Sequence, residues 1–221
     1  MVPRAEDGLA PDGSVRWAPE LRESPFVSSE RDFSHAIAEG DGISVIAAVE
    51  NADAARAAEA QRAEALVVTR NPAALRDATG LPILWRAETD LEEAAEVADA
   101  VILTLSDDEG QEIREQQRHH QALSLGLDCV VEVRTEEELE RALEILEPEI
   151  FLLVPPSDGE QERLEAVLEL LAEVPAGKLA IADLAVTTED EVQELERAGC
   201  DAVIVHADDL STLVGDAPPE V

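Results

Sequence analysis

Among the side chains able to do acid–base or ion-pair chemistry at or near the ends of short apolar runs are Glu50, Arg86, Glu132, Asp183 and His206. A carboxylate or an imidazole in such a place can take or give a proton if its pKa lies near the working pH. Arg86 can hold an anion, but a guanidinium stays charged and is a poor proton donor near neutrality. His206 is the only histidine at the end of a run. A weak substrate-binding role and a hydrogen-bonded loop role are both open to it. Asp, Glu and His together can also hold a divalent cation. Their spacing here carries no ligand signature, so neither a metal nor a cofactor is expected.

Other reactive side chains read as structural. His119 and His120 are adjacent on a helical stretch and point to different faces, which argues against joint metal binding. His35 falls in a lead-in helix, where a solvated or capping role suffices. Cys129 and Cys200 have no CxxC partner and no metal-ligand spacing. They read as reduced, packed thiols. Acid runs such as Asp90–Glu96 and Glu136–Glu140 read as solvated faces.

The runs that carry the candidates recur along the chain: Ile43–Glu50, Ala65–Thr69, Pro82–Arg86, Ala100–Leu105, Cys129–Arg134, Ile150–Val154, Leu179–Asp183 and Ala202–His206. Acidic amphipathic stretches alternate with them, the pattern of a parallel sheet with crossover helices. Strands this uniformly apolar are buried on both faces. Thr135–Leu146 opens with Thr-Glu-Glu-Glu, a capping-box pattern, and sets Leu139, Leu143 and Leu146 on one face. Glu160–Val174 repeats Leu164, Val167, Leu168 and Leu171 at helical spacing. Thr187–Ala198 stops at Gly199, a natural helix end. These units predict a single (β/α)8 TIM barrel over residues 31–221, with a doubly wound open sheet as the alternative. Residues 1–30 are rich in Pro, Gly, Ser and charge and read as a loosely ordered lead-in, with Trp17 or Phe26 docked.

Charge narrows the partners. The chain has 51 acidic and 16 basic residues, for a formal charge of −35. A nucleic-acid partner is excluded on that ground, since the phosphate backbone is itself a polyanion. An anionic membrane surface is disfavoured for the same reason, and no apolar run approaches the ~18 residues of a membrane span. Lys178 is the only lysine and there is no tyrosine. Abundant acid with almost no lysine resembles proteins of salt-in halophiles, where a Debye length of ~3 Å at about 1 M salt makes self-repulsion tolerable. With no signal peptide at the start, a cytoplasmic location is expected.

Several segments resemble indole-3-glycerol phosphate synthase, the ring-closing decarboxylase of tryptophan biosynthesis. "DCVVEVRTEEELERAL" is similar to its fifth βα unit, "GLPILWR" to its third strand and "ISVIAAVE" to its first. "LAIADLAVTTEDEVQELERAGCDAVIVHADDL" is similar to its last two units. The resemblance spans about 32–214. It implies acid–base groups at the strand ends, lysines among them, and a phosphate site made by the loops after strands 7 and 8.

Side chains alternate along a strand, so the family's functional positions can be followed residue by residue onto the lumen face, and there the set is altered. The acidic residue and the lysine on strand 1 fall on Ala48 and Glu50, and the catalytic lysine at the end of strand 3 falls on Arg86. The strand 5 glutamate is kept as Glu132, and the strand 6 asparagine falls on Leu153. Ser-Glu-Ser-Gly on strand 7 becomes Ala182-Asp183-Leu184-Ala185. The glycine-bearing turns that cradle phosphate are absent, and strand 8 is followed by His206-Ala207-Asp208-Asp209. Those two aspartates would repel a phosphate dianion. The loop after strand 1 is short, with Glu50-Asn51 running into Ala52–Arg62. Thr69-Arg70-Asn71-Pro72 stands where the family has a Phe-Gly-Gly loop.

The expectation is therefore a degenerate, non-catalytic barrel of this family with a binding or regulatory role toward a small molecule or a protein. In it Arg86 is neutralised by Glu132 and Glu50. The alternative is an active synthase, or a related carbon–carbon lyase, rebuilt around Arg86 and Glu132. Lys178 lies before strand 7, at the lower rim, out of reach of any substrate at the mouth.

Overall fold

The computed structural model describes residues 32–38, 42–86, 90–106, 110–156, 160–184, 186 and 188–206, apart from the side chains of 160 and 161. Residues 1–30, Ala185, Thr187, Ala207, Asp208 and Asp209 lie outside them. A helix α1 (Phe33–Ala38) precedes β1 (Ser44–Ala48), α2 (Ala52–Ala60), β2 (Ala65–Val68), α3 (Ala73–Arg76), β3 (Ile83–Trp85) and α4 (Leu91–Val97). Then come β4 (Ala100–Thr104), α5 (Glu112–Ser124), β5 (Asp128–Val133), α6 (Glu136–Ile145), β6 (Ile150–Leu153), α7 (Glu160–Glu173), β7 (Leu179–Asp183), α8 (Glu189–Ala198) and β8 (Ala202–Val205). The strands are all parallel and pair in sequence order, β8 closing onto β1. This is a (β/α)8 barrel, as the alternating runs predict, and the open sheet is ruled out. Among the described residues no helix is long and apolar enough to cross a membrane.

Local chemistry sets the helix ends. Asn51 Oδ1 accepts the Asp53 and Ala54 N–H groups at 3.1 and 2.9 Å and starts α2. Thr188 and Glu191 form a reciprocal capping box on α8, and a cap of this kind contributes ~1 kcal/mol. Gly199, at φ +92°, ends α8 in the left-handed region that favours glycine. At α6 the predicted box is only half made. Thr135 Oγ1 accepts the Glu138 N–H, while Glu138 Oε2 accepts from Arg134 N at 2.7 Å.

Alternation along each strand divides the core in two. One cluster holds Ile46, Val67, Leu84, Ile102, Val130, Leu152, Ile181 and Ile204 and takes nothing from α2–α8, so it fills the lumen. Phe33 and Ile37 of α1 join it and are 0% and 2% exposed. With α1 tied to the strand starts by Ser34 N–H donating to Asp128 Oδ2 and Ser44 Oγ–H to the Ile37 carbonyl, it plugs the N-terminal end of the barrel. The second cluster packs the outward strand residues against the helices.

Leu153 belongs to that outer layer. Its assignment to a lumen position is corrected: Leu152 and Val154 are the inward residues of β6. Leu152-Leu153-Val154 is apolar throughout, so either parity satisfies a strand buried on both faces.

Candidate functional site

Lumen parity continues past the strand ends and carries the candidates to the C-terminal mouth. Ile46 and Ala48 lead to Glu50, Leu84 to Arg86, Val130 to Glu132, Ile181 to Asp183 and Ile204 to His206. Glu50, Arg86 and His206 lie just beyond the last paired residue of their strands. Arg86 is still anchored, because its backbone N–H donates to the Val68 carbonyl at 2.7 Å.

Four of the five candidates meet in one charged chain. His206 Nε2 donates to Asp183 Oδ1 at 3.1 Å, the direction a carboxylate acceptor requires. Arg86 donates through one terminal nitrogen to Asp183 Oδ2 at 2.5 Å, and the same nitrogen lies 3.8 Å from Glu132 Oε2. Arg134 donates to Glu132 Oε1 at 2.5 Å. The side chains of Asp183 and Glu132 are 9% and 10% exposed, against 31% for Arg86. Burial opposes ionisation of Asp183, but the His206 hydrogen bond and the Arg86 charge outweigh it and hold its carboxyl below the usual carboxylate range.

Glu50 stands apart. It is exposed and joins no ion pair among the described residues, so the expected Glu50–Arg86 neutralisation is corrected to Asp183 with Glu132. The cause is local. β1 ends at Ala48, and the chain has already turned toward the Asn51 cap of α2 when it reaches Glu50.

Arg86 also partitions the mouth. A cavity of about 300 Å³ on the β1–β2–β8 side is lined by Ala48, Glu50, Thr69, Arg86 and His206, among others. A cavity of about 200 Å³ on the β4–β5 side is lined by Arg86, Thr104, Glu132 and side chains of α5. Arg134 was not singled out from the sequence. Its signal was there, since it stands two residues after Glu132 and so on the same face.

The remaining candidates fall elsewhere. Lys178 pairs with Glu149 at 3.0 Å on the N-terminal side of β7. His119 is buried and His120 exposed, with edge-on rings 5.9 Å apart. Burial, then the neighbouring His120, lowers the His119 pKa. His35 is exposed on α1. Cys129 and Cys200 are buried free thiols whose pKa is pushed by burial to about 12. No group of three or more His, Cys, Asp or Glu among the described residues is arranged to hold a metal ion.

No family model matches the chain. It is 29% identical over 139 residues to indole-3-glycerol phosphate synthase of Shouchella clausii, covering 60% of this chain and 54% of that protein. It is 33% identical over 84 residues to the synthase of Polaromonas naphthalenivorans, covering 38% and 32%. The chain thus spans about half the length, or less, of the curated relatives it matches. Among solved structures, a mutant tryptophan synthase α-subunit from Pyrococcus furiosus superposes with TM-score 0.60 at 13% identity, covering 79% of this chain and 90% of that one. An N-acetylmannosamine-6-phosphate 2-epimerase from Clostridium perfringens gives 0.59 at 15%, covering 75% and 87%. These two likenesses establish the barrel fold alone.

Proposed function

We propose that this chain is a divergent, halophilic member of the indole-3-glycerol phosphate synthase family that keeps the barrel, has lost the reaction and uses its mouth to bind a ligand. The low-identity synthase relatives support the family. The loss rests on one observation: Arg86, at the position of the family's catalytic lysine, is taken up by Asp183 at 2.5 Å.

An arginine cannot replace a lysine acid near neutral pH. One of its terminal nitrogens is taken by Asp183 and lies 3.8 Å from Glu132, so that nitrogen is not free to hold a substrate phosphate. The family's other lysine position carries Glu50, which adds negative charge to the larger cavity. Lys178 is held by Glu149 at the far end of the barrel. Asp208 and Asp209 would add repulsion at the family's phosphate position. The protein then works in a salt-rich cytoplasm, free of nucleic acid and membrane.

The experiment is complementation of a tryptophan auxotroph that lacks the synthase, in a salt-accumulating host, with calorimetric titration of the family's phosphorylated substrate. No growth and no heat are expected. Growth at a rate near that given by an authentic synthase would overturn the proposal in favour of a lyase working through Arg86 and Glu132.

A further inference from the structure

We propose that the smaller mouth cavity binds an apolar α-amino acid as its zwitterion. This rests on the reading of the mouth as a binding site and names its ligand class.

The size of the cavity sets the first limit. At about 200 Å³ it falls below the ~300–1,000 Å³ of pockets for drug-sized ligands. It has the volume of about seven waters, at ~30 Å³ each in the liquid. A single amino acid is on that scale and a nucleotide is not. Ile102, Leu103, Leu105 and Leu146 supply apolar surface for a side chain.

Charge sets the second limit. Arg86 and Arg118 line the cavity together with Glu115 and Glu132. A ligand with only a carboxylate meets two acids, and one with only an amine meets two guanidinium groups. A zwitterion presents the opposite charge to each kind.

Two buried atoms sharpen this. Arg86 Nε–H and Glu115 Oε2 are buried without a hydrogen-bond partner. Glu115 is held by its other oxygen, which accepts the Ser106 N–H at 2.6 Å. Its Oε2 lies 3.7 Å from an Arg141 terminal nitrogen, within ion-pair range but beyond a hydrogen bond. A buried donor and a buried acceptor left unmet each carry a desolvation cost. Both residues line the cavity, and one ligand with a carboxylate for Arg86 and an ammonium for Glu115 relieves both once those side chains turn the enclosed atoms toward it.

The test is calorimetry on the full chain with L-leucine, with 4-methylpentanoate, which lacks the amine, and with 3-methylbutylamine, which lacks the carboxylate. Leucine is expected to bind, and each analogue at least tenfold more weakly. Glu115→Gln keeps an oxygen for the Ser106 N–H and is expected to weaken leucine at least tenfold, while leaving 4-methylpentanoate no weaker. Ile113→Ser, on the exposed face of α5, is expected to change nothing. Circular dichroism checks that each variant folds, and the three-ligand series on the parent protein decides the matter if Glu115→Gln does not. Absence of leucine binding, or analogues binding as tightly as leucine, would overturn the proposal. Turnover of the synthase substrate would overturn the non-catalytic reading whatever leucine does, whereas absence of both turnover and leucine binding sinks this inference alone.

Discussion

Arg86 at the end of β3 meets Asp183 on β7 at 2.5 Å, although β3 and β7 stand four places apart in a closed ring of eight strands. The contact therefore crosses the lumen. It ties opposite walls of the barrel together and separates the two cavities of the mouth.

Replacing Arg86 by Met leaves the buried Asp183 carboxylate with His206 alone and the buried Glu132 carboxylate with Arg134 alone. Loss of one partner from a fully buried pair costs ~3–5 kcal/mol. Arg86 is 31% exposed, and solvent screening reduces the expected loss to about 1–3 kcal/mol. Adding Asp183→Asn should restore part of it. Urea unfolding of the two single variants and the double variant reads the coupling, and strictly additive losses would show that the pair contributes nothing.

Two aspartates should respond to pH in opposite directions. The Asp183 carboxyl is held below its ordinary value of 3.8, so its contribution is present above that value and is lost as pH falls through the folded-state pKa. Asp201 is raised, chiefly by burial, while its Oδ2 accepts the Ala180 N–H at 2.8 Å. Its stability contribution is fully present below 3.8 and is lost as pH rises through the folded-state pKa. Asp183→Asn should therefore be less stable than the parent at pH 7. Asp201→Asn, which keeps an accepting oxygen, should be more stable. The Asp201 difference should close as pH falls to 3.8 and the Asp183 difference only at lower pH, as it passes the folded-state pKa, and urea midpoints across that range will register both.

Phe33→Ala removes the larger half of the plug under the lumen, and Phe33 is 0% exposed. A loss of about 3–5 kcal/mol is expected from the deleted ring and the cavity it leaves. A change below ~1 kcal/mol by chemical denaturation would mean that α1 does not close the barrel in solution.

Salt should stabilise the protein. With 51 acids against 16 bases, repulsion reaches farther as the Debye length grows from ~3 Å at 1 M to ~10 Å at 0.1 M. The melting temperature is expected to rise steeply from about 0.1 M to a few molar salt. A flat profile would contradict the halophilic reading.

Much of the fold was legible because a parallel barrel repeats one signal. The strands are apolar runs separated by helical stretches, most of them acidic, and Thr188–Glu191 and Gly199 mark the ends of α8 in plain residues. Parity was legible only where a polar residue broke the run. Asp183 fixes the register of β7, whereas Leu152-Leu153-Val154 permits either parity, and the inward position was misassigned there. The site was legible as a set of residues at strand ends. Its pairing was not, because whether Arg86 reaches Asp183 or Glu50 depends on distances across the lumen and on where β1 leaves the sheet. Arg134 was within reach of the alternation argument that found Glu132.

The most direct measurement is turnover of the family's phosphorylated substrate by the unmodified protein, followed by indole-ring fluorescence from 0.1 M to several molar salt. Holding that substrate needs donors or cations aimed at its phosphate, and protonating it needs an acid with a pKa near the working pH. Loss of one such group commonly costs ~10²–10³ in rate, and several are altered together, with effects that do not simply add. On the proposed reading no turnover is predicted at any salt concentration, and none should appear when Ala48→Glu, Glu50→Lys and Arg86→Lys are combined, because those changes leave the sequence Asp208-Asp209 in place of a glycine-bearing turn. A rate above ~1 s⁻¹, within the ordinary range of enzymes, would contradict the account and make Arg86 and Glu132 working catalytic groups.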